Sequence, residues 1–498
     1  MAIPAVVAID QGTTGTTVLV IGAEGRVLGR AYSEFTQHFP KPGWVEHDAL
    51  EIWQVTRRVL DEAVAAATEA RIEAVGITNQ RETVVLWDRA TLEPVTRAIV
   101  WQDRRTAEMC RSLRDAGHEP EVRRRTGLVL DPYFSGTKLS WLLDQSPELR
   151  ARAEAGDLAC GTMDSWLTAR LSGGRRHVTD PTNASRTLLW DLNERRWSPE
   201  LQSLLGVPTT LLPEVLPSSG EFALTDPDAC GLEVPILGIA GDQQAALFGQ
   251  GCWSAGLAKN TYGTGAFMLL HTGDRPMPSE HGLLTTAACG PKGELAFALE
   301  GSIFIAGAAV QWLRDGLGLL ENASASEALA QSVAGNDGVY LVPAFVGLGA
   351  PHWDPEARGT LVGLTRGTGR AHVVRAALEA MAYGTEEVLR AMEADSGVEA
   401  RELRVDGGVA ANDWLMRFQA GILGIPVRRP PLVETTALGA AGLAGIAAGV
   451  WSDADHFSEA FGAPVHFAPE LSPAERSDLL TGWRRAVHAA RAWSQWSP

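Results

Sequence analysis

The sequence predicts an α/β protein built of two similar halves with a cleft between them. The first observation is a Gly/Thr-rich turn at residues 10–17, set between apolar runs at 5–9 and 18–21 that read as strands. The second is its echo at 260–265, where Thr261, Gly263, Thr264 and Gly265 lead into the apolar run 266–270. A repeated strand–turn–strand opening marks a duplicated unit. The third is a glycine cluster at 405–412 that follows a strand over 403–405 and precedes a helix from Asp413. The Gly-spaced stretch 249–256 divides the chain, giving an N-terminal domain over 1–250 and a C-terminal domain over 251–498.

Taken in order, a second turn at 23–26 leads into 27–32, so the first thirty or so residues read as a three-stranded meander. Asp48 and Glu51 form a capping pair for a helix reaching about residue 70, with Leu50, Trp53, Leu60 and Val64 on its apolar face. A strand over 73–78 ends in Asn79, Gln80, Arg81, Glu82 and Thr83, and the carboxyl end of a strand is where an α/β sheet gathers ligand groups. Another strand covers 84–87, and a further segment opens at Ile99. The strand at 235–240 runs into Gly241, Asp242, Gln243 and Gln244, which open a helix through Phe248. A long alanine-rich helix spans 372–394, and 437–450 is a Gly/Ala-rich helix suited to close packing.

Composition narrows the function. The 498 residues are 45% hydrophobic and 21% charged, as in ordinary globular proteins. A formal net charge of −17 excludes a general nucleic-acid binder, whose affinity rests on Lys and Arg neutralising phosphates, but leaves room for a local nucleotide pocket. Lys41, Lys138, Lys259 and Lys292 are the only lysines, and none completes a P-loop. The five cysteines are widely spaced and never paired as C-x-x-C, which predicts reduced thiols in a cytoplasmic protein. No long apolar run predicts stable membrane insertion.

A turn rich in Gly and Thr exposes backbone N–H groups and hydroxyls at one point, a nest for phosphate oxygens. Asp10, at the strand end, adds a carboxylate where Mg²⁺ bound to phosphates takes oxygen ligands. An ordinary hairpin accounts for the same residues, and the turn alone does not decide between the two.

Seven stretches taken together do decide. DQGTT (10–14), NQRET (79–83), DPYFSGTK (131–138), GDQQAALFGQ (241–250), NTYGTG (260–265), GLGAPHWD (347–354) and DGGVAAN (406–412) resemble, in order, the signatures of the glycerol kinases within the FGGY carbohydrate kinase family. The likeness runs from about residue 5 to about 495. It implies two ribonuclease-H-like domains of the actin, hexokinase and sugar-kinase superfamily, with the glycerol site and a phosphate turn in the first and the nucleotide site in the second. It further implies phosphorylation of glycerol to sn-glycerol 3-phosphate by ATP, with ADP as co-product, Mg²⁺ as cofactor, and a homodimer or homotetramer.

By the same resemblance Asp242 is the general base, and Arg81, Glu82, Tyr133 and Gln243 hold the glycerol hydroxyls with it. Trp101 and Phe267 form an aromatic wall against the carbons. Thr13, Thr14, Gly15 and Thr264 contact the nucleotide phosphates, Asp10 serves the magnesium, and Gly307, Gln311, Gly408 and Asn412 line the rest of the nucleotide site. The physics agrees: a three-carbon triol has little apolar area and three hydroxyls, so its recognition rests on directed hydrogen bonds. The structural alternatives are a helix cap for Asp242, a surface ion pair for Arg81 and Glu82, and plain packing for Trp101, Tyr133 and Phe267. The functional alternatives are a kinase for another small polyol or a ketose, or a non-kinase ATPase switch of the same superfamily. Two departures from the pattern stand out. Gly15-Thr16-Thr17 replaces a common Ser-Ser-Arg, and residues 218–234 carry neither the arginine-bearing inhibitory loop nor an acceptor histidine of some relatives.

Overall fold

The structure, a computed structural model, describes residues 2–432 and 434–495. The N-terminal half holds a six-stranded sheet containing β1 (Ile3–Gln11), β2 (Gly15–Gly22), β3 (Val27–Glu34), β4 (Ala70–Asn79) and β5 (Pro235–Gly241), with Ser219–Leu224 at one edge. β1, β2 and β3 form the expected antiparallel meander, β4 runs parallel to β1, and β5 runs parallel to β4. β1 is apolar at successive residues because both its faces are covered. Ala5, Val7 and Ile9 enter the core under helix α1 (Ala49–Ala66), whereas Val6 and Ala8 enter the core on the opposite face.

Helix α1 starts where Asp48 accepts from the N–H groups of Leu50 (2.9 Å) and Glu51 (3.2 Å). Glu51 does not complete the expected reciprocal cap; its carboxylate takes the N–H and hydroxyl of Thr36. The helix also stops at Ala66, short of expectation, because residues from Ala70 onward are drawn into β4. Helix α2 (Asp242–Gly249) follows β5 directly.

The C-terminal half repeats the plan. Its seven-stranded sheet contains β6 (Leu257–Tyr262), β7 (Ala266–Gly273), β8 (Leu295–Ile303), β9 (Glu402–Asp406) and β10 (Val427–Arg429), flanked by Leu284–Cys289 and Val465–Phe467. The spatial order β8-β7-β6-β9-β10 matches β3-β2-β1-β4-β5 in the first half, with the same antiparallel meander followed by parallel strands. Helix α3 (Arg370–Ser396) covers this sheet, and α4 (Asp413–Leu423) packs beside it.

Helix α5 (Thr435–Ala447) belongs to the second half in sequence but packs on β1, β4, β5 and α2 of the first. Its Gly/Ala composition permits backbone-to-backbone approach. A Cβ on Gly76 would lie 2.2 Å from the Ala440 carbonyl oxygen, and one on Gly439 would lie 1.8 Å from that of Ala245. Among the described residues no helix is long and apolar enough to cross a membrane.

The glycine contact is testable. Gly439→Ala forces α5 away from α2, and overpacking of this kind costs about 1–3 kcal/mol. Calorimetry is expected to show a melting temperature lowered accordingly; an unchanged value would mean that the two helices separate freely.

Candidate active site

The β1–β2 turn is closed by the Gly12 N–H donating to the Gly15 carbonyl at 2.9 Å. Glycine is required at 15, since a Cβ there would sit 2.7 Å from the Ser33 carbonyl oxygen. Gln80, at the carboxyl end of β4, fixes the turn from beside it: its N–H donates to the Gln11 carbonyl (2.8 Å) and its Nε2 to that of Gly12 (3.2 Å). Thr14 is exposed, and the Thr13 hydroxyl accepts from Trp101 Nε1 at 2.9 Å. Trp101 stands edge-on to Tyr133, with ring centroids 5.5 Å apart at 90°. Asp131 accepts the Tyr133 N–H (2.9 Å) and the buried Lys138 Nζ donates to the Tyr133 carbonyl (2.5 Å), so the turn carrying this ring is held from both sides.

Arg81 and Glu82 follow directly from β4, with Glu82 in the left-handed region at φ 57°. A non-glycine residue there is strained, and such strain is kept where surrounding contacts over-determine the geometry. Those contacts are a buried ion cluster. Arg81 Nη1 and Nη2 donate to the two oxygens of Glu300 (2.6 and 3.1 Å), and Arg81 Nη1 also reaches Gln244 Oε1 (3.3 Å). Arg186 Nε donates to Glu82 Oε1 (2.6 Å) and Arg186 Nη2 to Glu300 Oε1 (3.1 Å). Burial opposes ionisation of Glu300, but Arg186 and Arg81 hold its carboxyl down to about 2.

Asp242 opens α2, with Oδ1 accepting the Gln243 N–H (2.7 Å) and lying 3.2 Å from Arg81 Nε. Its side chain is 34% exposed against 4% or less for Arg81, Glu82, Arg186 and Glu300, so Asp242 is the member of this group that faces the cleft. The helix-cap alternative does not hold, because the N-cap of α2 is Gly241 and no side chain caps the helix. Asp10 lies at the end of β1, and its carboxyl is pushed up to about 7, first by burial and then by Asp242. Among the described residues no group donates a hydrogen bond to it. A crowded pair of carboxylates without a protein cation beside Asp10 suits a divalent cation held by phosphates.

In the second half Gly263 N–H closes the β6–β7 turn on the Gly265 carbonyl (2.8 Å). The N–H groups of Ala306 and Ala308 donate to the Thr264 carbonyl (2.9 and 3.0 Å), and that of Gly307 to the Gly263 carbonyl (3.0 Å). Thr264, Gly307, Gln311, Gly408 and Asn412 all line one cavity of about 560 Å³, within the size range of small-molecule sites. A Cβ on Gly408 would meet open space, so the main chain there borders the cavity directly. Asn412 also caps α4, its Oδ1 accepting the Leu415 N–H (2.9 Å). Phe267, half-buried on β7 opposite Thr261 and Ser302, forms no ring pair with Trp101 or Tyr133 among the described residues.

The site contains residues that sequence reasoning missed. Glu300 and Lys259 come from the second sheet, Arg186 from the segment after Asp180, and Gln244 donates across the halves to Thr286 (2.9 Å) and the Ala287 carbonyl (3.1 Å). A glutamate directly after the apolar run 295–299 was the available signal for Glu300. Thr17, where the motif departs from the family pattern, pairs across strands with Asp10 and therefore shares its face of the sheet.

Fold and site together define a two-domain carbohydrate kinase. The N-terminal domain of the FGGY family of carbohydrate kinases matches residues 5–249 and its C-terminal domain residues 258–448. The chain belongs to this family. It is similar to a glycerol kinase of Dechloromonas aromatica (strain RCB), with 57% identity over 98% of each chain, and to one of Deinococcus radiodurans, with 55% identity over 98% of each. Among solved structures it resembles Plasmodium falciparum glycerol kinase with ADP, at a TM-score of 0.94 and 34% identity, with 98% of each chain covered. A ligand-bound xylulose kinase from Lactobacillus acidophilus shares the fold at a TM-score of 0.88 and 20% identity, with 99% of each covered.

The raised Asp10 value has a consequence for stability. A carboxyl that holds its proton more tightly when folded makes the folded state lose stability as pH rises from about 4 to about 7, with the loss complete above that range. Asp10→Asn removes the loss. In metal-free protein it is expected to raise stability at pH 8 by on the order of 1–2 kcal/mol, and by less at pH 5. Equal gains at both pH values would remove Asp10 from this role.

Proposed function

We propose that the protein is a glycerol kinase that transfers the γ-phosphoryl group of ATP to glycerol, forming sn-glycerol 3-phosphate and ADP. The observation that carries this reading is the meeting of Arg81, Glu82, Asp242 and Gln243 at the cleft beside the Thr13 turn. The relatives bearing the name glycerol kinase, at 55–57% identity over nearly the whole chain, support the same substrate.

The residues divide the work by chemistry. With Arg81 Nη1 committed to Glu300 and Gln244 and Nε paired with Asp242, the second Nη2 hydrogen remains for a substrate oxygen. Glu82 Oε1 is taken by Arg186, leaving Oε2 to accept from a hydroxyl. Tyr133 and Gln243 add further polar contacts, and Trp101 and Phe267 cover the carbon chain. Asp242 accepts the proton of the attacking hydroxyl as the new O–P bond forms and the bond from the γ-phosphorus to the bridging oxygen breaks, that electron pair leaving with ADP.

Thr13, Thr14, Gly15 and Thr264 donate to the phosphates, and Gly307, Gln311, Gly408 and Asn412 enclose the remainder of the nucleotide. Asp10 would hold Mg²⁺, which when bound neutralises phosphate charge. The ADP in the Plasmodium structure supports ATP/ADP as the nucleotide. Five free, buried cysteines support a reducing, cytoplasmic setting. The exposed Val346 and Trp353 on one loop suit a self-association surface, in keeping with a homodimer or homotetramer.

Glycerol-dependent ADP release in a coupled assay, run beside a panel of polyols and ketoses, tests the reading; release equally fast without glycerol would favour an ATPase switch. Asp242→Asn is expected to lower turnover by about 10²–10⁴-fold while nucleotide binding survives. Near-normal turnover would remove it as the base. Arg81→Ala strands the buried Glu300 charge, at a cost of about 3–5 kcal/mol. Its KM for glycerol is expected to rise much more than its KM for MgATP, and equal rises would make Arg81 a structural residue.

A further inference from the structure

Lys259 is fully buried on β6, the strand that leads into the Thr264 turn, yet its Nζ reaches across the cleft to the other half. It donates to Gln243 Oε1 on α2 and to Thr261 Oγ1 at 2.9 Å. An ammonium has hydrogens and no lone pair. The Gln243 atom it faces is therefore the oxygen, and the amide nitrogen is turned away from it. Among the described residues nothing accepts from Gln243 Nε2, and the side chain is only half-buried. Asp242, the adjacent residue, faces the same cleft with an acceptor.

We propose that Lys259 is a positioning residue for substrate specificity: it locks the Gln243 amide so that its NH₂ group donates into the glycerol site beside the Asp242 carboxylate. This rests on the glycerol kinase reading above. A hydroxyl both gives and accepts a hydrogen, so a fixed donor next to a fixed acceptor selects a hydroxyl pattern in a way that a freely flipping amide does not. Without Lys259 the amide presents oxygen as readily as nitrogen, and a substrate oxygen meets a second acceptor. The placement explains an otherwise costly choice. Burying an ammonium is unfavourable unless it is well partnered, and burial does lower the affinity of Lys259 for its proton, against the fields of Asp406, Asp242 and Glu300. The like charge of Arg81 acts in the same direction as burial. An apolar side chain of similar length would pack in the same space and could not orient Gln243.

The test is a double-mutant cycle on the full-length enzyme. Wild type is assayed first: an enzyme without glycerol-dependent ADP release overturns the substrate reading and this inference with it. In an active enzyme, Lys259→Met is expected to raise the KM for glycerol about tenfold, the equivalent of one neutral hydrogen bond lost from a buried site. Turnover changes less than about threefold, and the KM for MgATP stays level. In a Gln243→Ala background the same substitution adds no further rise, because the side chain through which it acts is gone. Effects that multiply, or a KM for MgATP that climbs in step with that for glycerol, would overturn the proposal and make Lys259 a support for the nucleotide turn. If Lys259→Met does not yield folded enzyme, Gln243→Glu decides. It keeps the partner for Lys259 but offers only acceptors, so glycerol KM is again expected to rise about tenfold, and an unchanged KM would show that the donor is not needed.

Discussion

The bidentate pairing of Arg81 with Glu300 is the contact on which the site depends. Two arginines and two glutamates lie within a few ångströms of one another and out of water, and their charges balance. Removing one partner of such a set strands a buried charge, which typically costs 3–5 kcal/mol (order of magnitude). The geometry is therefore held in place by penalty as much as by attraction. Glu300 lies on the second sheet, whereas Arg81 and Glu82 extend from the first. The aim of Arg81 is thus fixed across the two halves, whereas Glu82 is held by Arg186 within the first.

The duplicated topology carries unequal chemistry. At the shoulder of the first turn Asp10 stands one residue before the end of β1 without a protein donor; at the matching place β6 has Thr261, whose hydroxyl is held by Lys259. One half carries a carboxylate beside its turn, and the other a hydroxyl bonded to a buried ammonium. Two copies of one fold thereby bring complementary groups to a shared cleft, an instance of function residing in the site rather than in the fold.

Most of this was legible in the sequence where the signal was local. Gly/Thr turns announce themselves because few other residues tolerate their close backbone contacts, as Gly15 against Ser33 shows. Of the eight positions expected at the nucleotide site, Thr264, Gly307, Gln311, Gly408 and Asn412 border one cavity, whereas Thr13, Thr14 and Gly15 lie on the β1–β2 turn and do not line it. What stayed hidden was pairing between distant residues. Arg186 and Glu82 are 104 positions apart, and Arg81 and Glu300 are 219 apart. Nothing in the alternation of a strand says which remote charge will meet a polar residue within it. Local rules also yielded to tertiary contacts: Glu51 left its reciprocal cap for Thr36, and α1 ended early in favour of β4.

The return of α5 to the first sheet means that the chain cannot be cut cleanly in two. Val6, Ala8, Leu19 and Ala74 share one core with Ala437, Leu438, Ala441 and Trp451. A fragment ending near residue 250 would leave that sheet face open to water, and its missing lid would be attached to the other piece. A split or circularly permuted version would succeed only if residues 434–461 travelled with the N-terminal strands. In inheritance terms, the two copies of the fold have become indivisible: the first closes its core with a helix carried by the second, so neither is free to be lost, exchanged or fused elsewhere by itself.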